Sequence, residues 1–270
     1  MSSSSRPNPN RDFGALLRHW RGVRRVSQLD LSLDAEISTR HLSFIETGRS
    51  SPSRDMVLRL AERLDVPLRT RNTLLAAAGF APVFAERPLA DPALDSARIA
   101  IDHLLAAHAP FPALAVDRHW TLVASNDAAQ RLMGGVDLSR FGPSVNVLRL
   151  SLHPDGLASR IVNFTQWRAH ILSRLRRQVD ISADPVLDAL CAELTAYPIP
   201  SETAPQADAS HAGDVIIPLR LATEFGVLSF LSTTTIFGTP VDVTLSEIAL
   251  ESFFPADPET ASALRALSKS

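Results

Sequence analysis

Ser27-Gln28-Leu29-Asp30-Leu31-Ser32-Leu33-Asp34-Ala35-Glu36-Ile37-Ser38-Thr39-Arg40-His41-Leu42-Ser43-Phe44-Ile45-Glu46-Thr47-Gly48-Arg49 holds two short helical patterns separated by a turn-sized gap. Ser27 stands where an N-cap belongs, because a serine hydroxyl satisfies one of the free N–H groups that open a helix. Behind it, Leu31 and Ala35 fall on one face. Ser38 repeats the signal, Leu42 and Ile45 share an inward face, and Gly48 suits the left-handed position just past a helix end. Two short helices joined by a tight turn describe a helix-turn-helix. The second helix turns Arg40, Ser43 and Phe44 away from the core face. An outward Phe beside an outward Arg is out of place on a solvated helix. It suits a major groove, where Arg bridges guanine and an apolar group touches a thymine methyl. Ser38, Thr39 and His41 lie at the helix end that approaches bases, and Gln28 opens the preceding helix within reach of a phosphate or base edge. Arg49 and Ser50 follow in a loop, placed for the sugar-phosphate backbone. The alternative is a helical bundle used only for protein contacts.

Working outward, helical patterns flank this pair. One runs over residues 12–24 with Phe13, Leu16, Leu17 and Trp20 at helical spacing; others run over 53–64 and 67–78, the last closed by Gly79. Together they predict an all-α five-helix bundle over 12–80, preceded by a Ser-, Pro- and Asn-rich stretch, 1–11, that is expected to be disordered. Charge follows the same division. Residues 1–80 carry thirteen arginines against eight acids, a balance of +5, while residues 81–270 carry a balance of −7. A basic first third joined to an acidic remainder implies that only the first part meets a polyanion.

The run from Ser27 to Arg49 resembles the helix-turn-helix of the XRE family of bacterial and phage repressors, and the likeness extends over residues 12–80. It implies that Gln28, Thr39, Arg40, Ser43 and Phe44 face double-stranded DNA. Glu36 departs from the family pattern, which commonly has Gly in the turn.

Residues 81–96 carry three prolines and few consecutive apolar residues, and read as a linker. The remainder, 97–270, alternates helical and strand patterns. A helix with Ile99, Ile101, Leu104 and Leu105 leads to a strand, Ala113–Val116, a turn over 117–120, and a strand over 121–126. Asn126 is placed to cap the helix that follows. Helices are expected over 145–152, 157–177 and 185–194, then a long Pro-, Ser- and Ala-rich loop over 198–213, then strands over 215–222, 225–235 and 241–253. Five antiparallel strands with helices on one face make this part α+β, and its opening resembles a PAS domain.

The helix over 157–179 carries Leu157, Ile161, Phe164, Ile171, Leu172 and Leu175 at three- and four-residue spacing, and Arg168 falls inside that apolar face. A guanidinium there requires a negative partner. Residues 146–178, with Leu148-Arg149-Leu150, His153-Pro154-Asp155-Gly156-Leu157, Asn163-Phe164 and Trp167-Arg168, resemble the ligand-binding domain of the MmyB-like transcription regulators. That resemblance implies a PAS-like domain that binds a long-chain fatty acid or related lipid. Arg168 is then expected to grip the carboxylate while Phe164, Trp167 and Leu172 line the chain; an internal acid of the domain is the other partner it could have.

The chain shows no HExxH, CxxC, Gly-rich phosphate loop or GxSxG, so no catalytic residue, metal site or cofactor is expected beyond a bound fatty acid. Cys191 is the single cysteine, which rules out an internal disulfide and fits a reducing cytoplasm. No run of 18 apolar residues suggests a membrane span. The expectation is a bacterial transcription regulator, a homodimer on a palindromic operator, that senses a small apolar ligand. Two alternatives stand beside it: a second domain that only dimerises, and a lipid-modifying enzyme.

Overall fold

The computed structural model describes residues 9–200, 216–237 and 242–268. The chain divides into two compact units between Arg87 and Pro88, inside the proline-bearing stretch; residues 180–183 and 242–243 group with the first unit.

The first unit is five helices: α1 (Pro9–Val23), α2 (Gln28–Asp34), α3 (Thr39–Glu46), α4 (Arg54–Arg63) and α5 (Leu68–Ala77). α1 opens within the stretch expected to be disordered; residues 1–8 lie outside the described part. α2 and α3 begin on the serines that the sequence marks, and α4 begins in the same way on Ser53. The hydroxyls of Ser27, Ser38 and Ser53 accept from the backbone N–H groups of Asp30, His41 and Met56. α3 closes through Gly48 at φ 71, with the N–H of Arg49 donating 2.8 Å to the carbonyl of Phe44. Phe13, Leu17, Leu31, Leu42, Ile45 and Leu60 are wholly buried in the shared core. Gly14 on α1 lies so close to α3 that an added Cβ would stand 2.6 Å from the carbonyl oxygen of Glu46, so glycine is what lets the two backbones touch.

The second unit opens with a 3-10 turn (Pro92–Leu94) and α6 (Asp95–Ala107), then β1 (Ala113–Val116) and β2 (Leu122–Ser125). Next come α7 (Asp127–Met133), α8 (Val147–Leu152), α9 (Phe164–Ser182) and α10 (Pro185–Ala196). After β3 (Leu219–Thr223) and β4 (Gly226–Ile236), a single helical turn, α11 (Val243–Ser246), precedes β5 (Ala249–Pro255) and α12 (Pro258–Leu267). The strands form one antiparallel sheet in the order β2-β1-β5-β4-β3. β5, last in sequence, therefore lies at the centre, with Glu251 opposite Leu114 of β1 and Thr234 of β4. Side chains alternate between the two faces of a strand. Leu114 and Val116 face a core shared with α8, α9 and α10, while Ala113 and Ala115 face a smaller cluster with Ile101 and Leu105 of α6. Helices thus cover the main face, and α6 adds cover to the other.

Three details differ from the sequence expectation, and a fourth lies outside the described residues. The helix expected from Leu157 begins at Phe164, because Ala158–Arg160 forms a 3-10 turn and Ile161 is extended at ψ 107. On α6, Ile101 and Leu105, one turn apart, are buried, whereas Ile99 and Leu104, which fall outside that stripe on either side, are exposed. The run expected as one strand over 241–253 is divided between α11 and β5. The loop expected over 198–213 falls mostly outside the described residues. Asn126 does cap α7: its Oδ1 accepts from the N–H of Ala129, and its amide donates to the carbonyls of Leu105 and Phe111.

Candidate nucleic-acid interface and ligand cavity

On α3, Thr39 and Arg40 are exposed, and His41, Ser43 and Phe44 are half-buried. Phe44 is not a bare ring. The guanidinium of Arg40 lies 5.4 Å from its centroid and that of Arg49 lies 6.0 Å away. Two cations held against one apolar face form a surface that matches phosphate, guanine and a thymine methyl. Ser38 spends its hydroxyl on the cap, and Thr39 shares a 3.0 Å hydrogen bond with Ser32. Ser50 follows Arg49, its N–H donating to the carbonyl of Phe44.

Gln28 has a more specific setting. Its amide donates 2.7 Å to Glu46, a carboxylate only 3% exposed. Arg21 meets the same carboxylate with two hydrogen bonds of 2.7 and 3.1 Å, and Arg18 stands 3.6 Å away. Burial would raise the pKa of Glu46. The hydrogen bonds from Arg21 and Gln28, together with the charges of Arg21 and Arg18, outweigh it and hold the group below its ordinary value. This network was missed in the sequence. Its only signal is an acid beside Ile45 on the inward side of α3.

The second unit holds a partly open apolar space between helices and sheet, with a volume of about 110 Å³ open to the centre of a water-sized sphere. One such sphere centre needs only about 10–15 Å³, so the space exceeds a packing defect. Ala129, Leu132 and Met133 of α7 and Val147 and Leu148 of α8 form one side; Leu114, Leu219, Leu221 and Phe253 form the sheet side. α9 contributes Trp167, His170, Ile171 and Arg174 at helical spacing. Trp120, held at φ 67 after the hairpin turn, closes the wall, with its Nε1 donating 2.9 Å to Gln178.

The cavity's polar groups are few. Arg174 donates to both carboxylate oxygens of Glu251, one of them at 3.0 Å, and also to the hydroxyl of Thr234. Its guanidinium stacks 4.6 Å over the Trp120 ring. Trp167 donates 3.1 Å to the hydroxyl of Ser151 and stacks on His170, with ring centroids 5.4 Å apart. Burial lowers the pKa of His170, and Arg174 and Arg177 add to that against the opposing pull of Glu251, so the neutral imidazole faces the cavity at neutral pH.

Residues 97–267 match the model of the MmyB-like transcription regulator ligand binding domain, and residues 12–74 match a helix-turn-helix domain. The chain belongs to the MmyB-like transcription regulators. Both matched models describe regulator modules rather than enzymes, so this is a DNA-binding transcription regulator. No curated protein matches the chain. Among solved structures, the clp gene regulator ClgR from Corynebacterium glutamicum is 22% identical, over 38% of this chain and 95% of that one, with a TM-score of 0.24. An RNA-binding Light-Oxygen-Voltage receptor is 16% identical, over 99% of this chain and 65% of that one, with a TM-score of 0.28.

All the cavity residues of this MmyB-like regulator fall within its matched ligand-binding region. Of the four residues expected to hold the ligand, Trp167 lines the cavity, whereas Phe164 and Leu172 are buried in the core outside its wall. Arg168 is corrected more sharply. It is not among the residues that line the cavity, and it donates 2.7 Å to the backbone carbonyl of Thr195, in the last turn of α10. Unpaired carbonyls give a helix C-terminus partial negative charge, so this helix end supplies the partner that sequence reasoning sought in a carboxylate. The guanidinium that does line the cavity is Arg174. Among the described residues, no helix is long and apolar enough to cross a membrane.

Proposed function

We propose that this regulator binds a palindromic operator as a homodimer in the bacterial cytoplasm, and that a small apolar ligand in the α7–α9 cavity changes its affinity for DNA. The ligand class is an acyl-chain lipid, a long-chain fatty acid or a relative of one. The observation that carries the DNA side is the outward face of α3, where Arg40 and Arg49 flank Phe44. A single recognition helix reads only a few base pairs, and a two-fold dimer doubles that reading. The ligand side rests on an apolar cavity inside the matched ligand-binding region, which a module serving only dimerisation would have no reason to keep empty.

Fluorescence anisotropy of the full chain on duplexes selected from a random pool tests the DNA side. Arg40→Ala is expected to weaken the selected duplex about 10-fold or more and to relax preference at one base pair, as the loss of a guanine contact would. Arg49→Ala is expected to weaken selected and random duplexes alike. Failure of the wild-type chain to bind any duplex at low salt overturns the reading. Native mass spectrometry of the freshly purified chain tests the ligand side, with a co-purified mass of a few hundred daltons expected.

A further inference from the structure

The cavity's charged groups are satisfied by each other, while its uncharged polar groups retain bonding capacity. We infer that Glu251 is a specificity determinant that cancels Arg174 and selects a ligand whose head group is an uncharged hydroxyl or amide rather than a carboxylate. This rests on the acyl-chain reading above and narrows it, from fatty acids and their relatives to the relatives whose head group is uncharged.

The charge balance comes first. Among the described residues, the wall contains one cation, Arg174, one anion, Glu251, and one titratable ring, His170. Arg174 and Glu251 bond in bidentate fashion, and Thr234 donates to a carboxylate oxygen as well. The side chain of Glu251 is 5% exposed and that of Arg174 is 29% exposed. His170 is held neutral, as described above. The wall therefore sums to zero before any guest arrives. A carboxylate entering it brings an uncompensated negative charge next to a buried one, in a medium where such a charge is costly. To use Arg174 it must first break the pair and leave Glu251 without its partner.

Hydrogen-bonding capacity gives the second argument. Ser151 accepts from Trp167, but its own O–H has no acceptor among the described residues. Ser232 lines the same cavity, and its hydroxyl has no hydrogen-bond partner among the described residues. It sits two residues from Thr234 on β4, on the same face and diagonal to Glu251. The His170 ring makes a stacking contact and no hydrogen bond among the described residues. A neutral imidazole offers one donor and one acceptor, and each hydroxyl offers both. Three neutral groups that both donate and accept match a guest group that does the same, which a hydroxyl or primary amide does and a carboxylate does not.

The third argument concerns why Arg174 is there. A guanidinium stacked on Trp120 and tied to two strands through Glu251 and Thr234 fixes the wall between α9, β4 and β5. Its role is to position the wall, and Glu251 makes that role compatible with an otherwise apolar space.

The test is isothermal titration of the delipidated full chain with decanol, decanamide and decanoate at about pH 8, where decanoate is ionised and histidine is neutral. Wild type is expected to bind decanol and decanamide at least about tenfold more tightly than decanoate. Glu251→Gln frees Arg174 and is expected to shift the decanoate-to-decanol ratio toward decanoate by about tenfold or more. Combining it with Arg174→Gln is expected to restore the preference for the uncharged heads. Decanoate binding wild type as tightly as decanol overturns the inference, as does an unchanged ratio in Glu251→Gln. If Glu251→Gln does not fold, the wild-type ratio decides alone. If no probe binds wild type, the ligand reading falls and this inference with it; a preference for decanoate overturns the inference and leaves that reading standing.

Discussion

Glu36 occupies the turn between α2 and α3 at φ 55, in the left-handed region. The turn requires that conformation. The N–H of Ile37 reaches back 2.9 Å to the carbonyl of Ser32, and the N–H of Glu36 reaches that of Leu33, closing α2 so that α3 can leave at a sharp angle. Left-handed backbone costs a side-chain-bearing residue about 1–2 kcal/mol, and glycine gives back part of that through its freer unfolded chain. Glu36→Gly is therefore expected to stabilise the first unit by up to about 1 kcal/mol, read as a rise in urea midpoint with duplex affinity unchanged. A lower midpoint would mean that the glutamate side chain contributes more than the backbone strain costs. Sequence reading located this position, because a turn-forming Gly was missing where one is usual. It could not show that the backbone keeps the glycine conformation regardless.

At the scale of the element, α9 shows what periodicity reveals and what it hides. The three- and four-residue spacing marked Phe164, Ile171, Leu172 and Leu175 as buried, and all four are. It also put Arg168 in that stripe. A long side chain, however, leaves its Cα position by several ångströms, and its destination is set by whichever element packs nearby. For Arg168 that element is the C-terminal end of α10. Among the described residues the Nε of Arg168 is buried without a hydrogen-bond partner, so this guanidinium is held there by a single end. Arg168→Ala is accordingly expected to lower the stability of the second unit by about 1.5–3 kcal/mol, the range for one hydrogen bond to a charged group. Ligand affinity is expected to stay within about twofold, since the side chain does not enter the cavity wall. Titration that shows binding abolished would return Arg168 to the ligand site. Arg174, six residues on, has no local sequence signal of its role. Its partner Glu251 lies 77 residues away on the central strand, and no local pattern connects them.

For the whole molecule, regulation requires that the ligand and DNA be coupled through the same protein. Coupling is reciprocal: the factor by which ligand changes duplex affinity equals the factor by which duplex changes ligand affinity. Stripping the purified chain of co-purified lipid is expected to change duplex affinity about fivefold or more, and saturating duplex is expected to shift ligand affinity by the same factor. Anisotropy and titration calorimetry on one preparation close this cycle. No change in either direction would remove the cavity from regulation.

The sequence by itself determined the two-part organisation, the five helices of the first unit, three of them serine-capped, and the hairpin that opens the second. Each of these is written in neighbouring residues: a serine before an apolar repeat, a glycine after it, alternation along a short strand. It also determined the outward face of α3, since 3.6-residue periodicity separates Leu42 and Ile45 from Arg40, Ser43 and Phe44. Only the tertiary structure decided that β5 takes the centre of the sheet and that the run over 241–253 is split into α11 and β5. It also decided that Gln28 and Arg21 converge on Glu46, and that a cavity exists with Arg174 and Glu251 cancelling in its wall. The physical reason is range. Capping and periodicity are local and recur within a few residues. Strand order, cavities and buried charge pairs depend on which distant surfaces exclude water together, and that is settled only when the chain closes on itself.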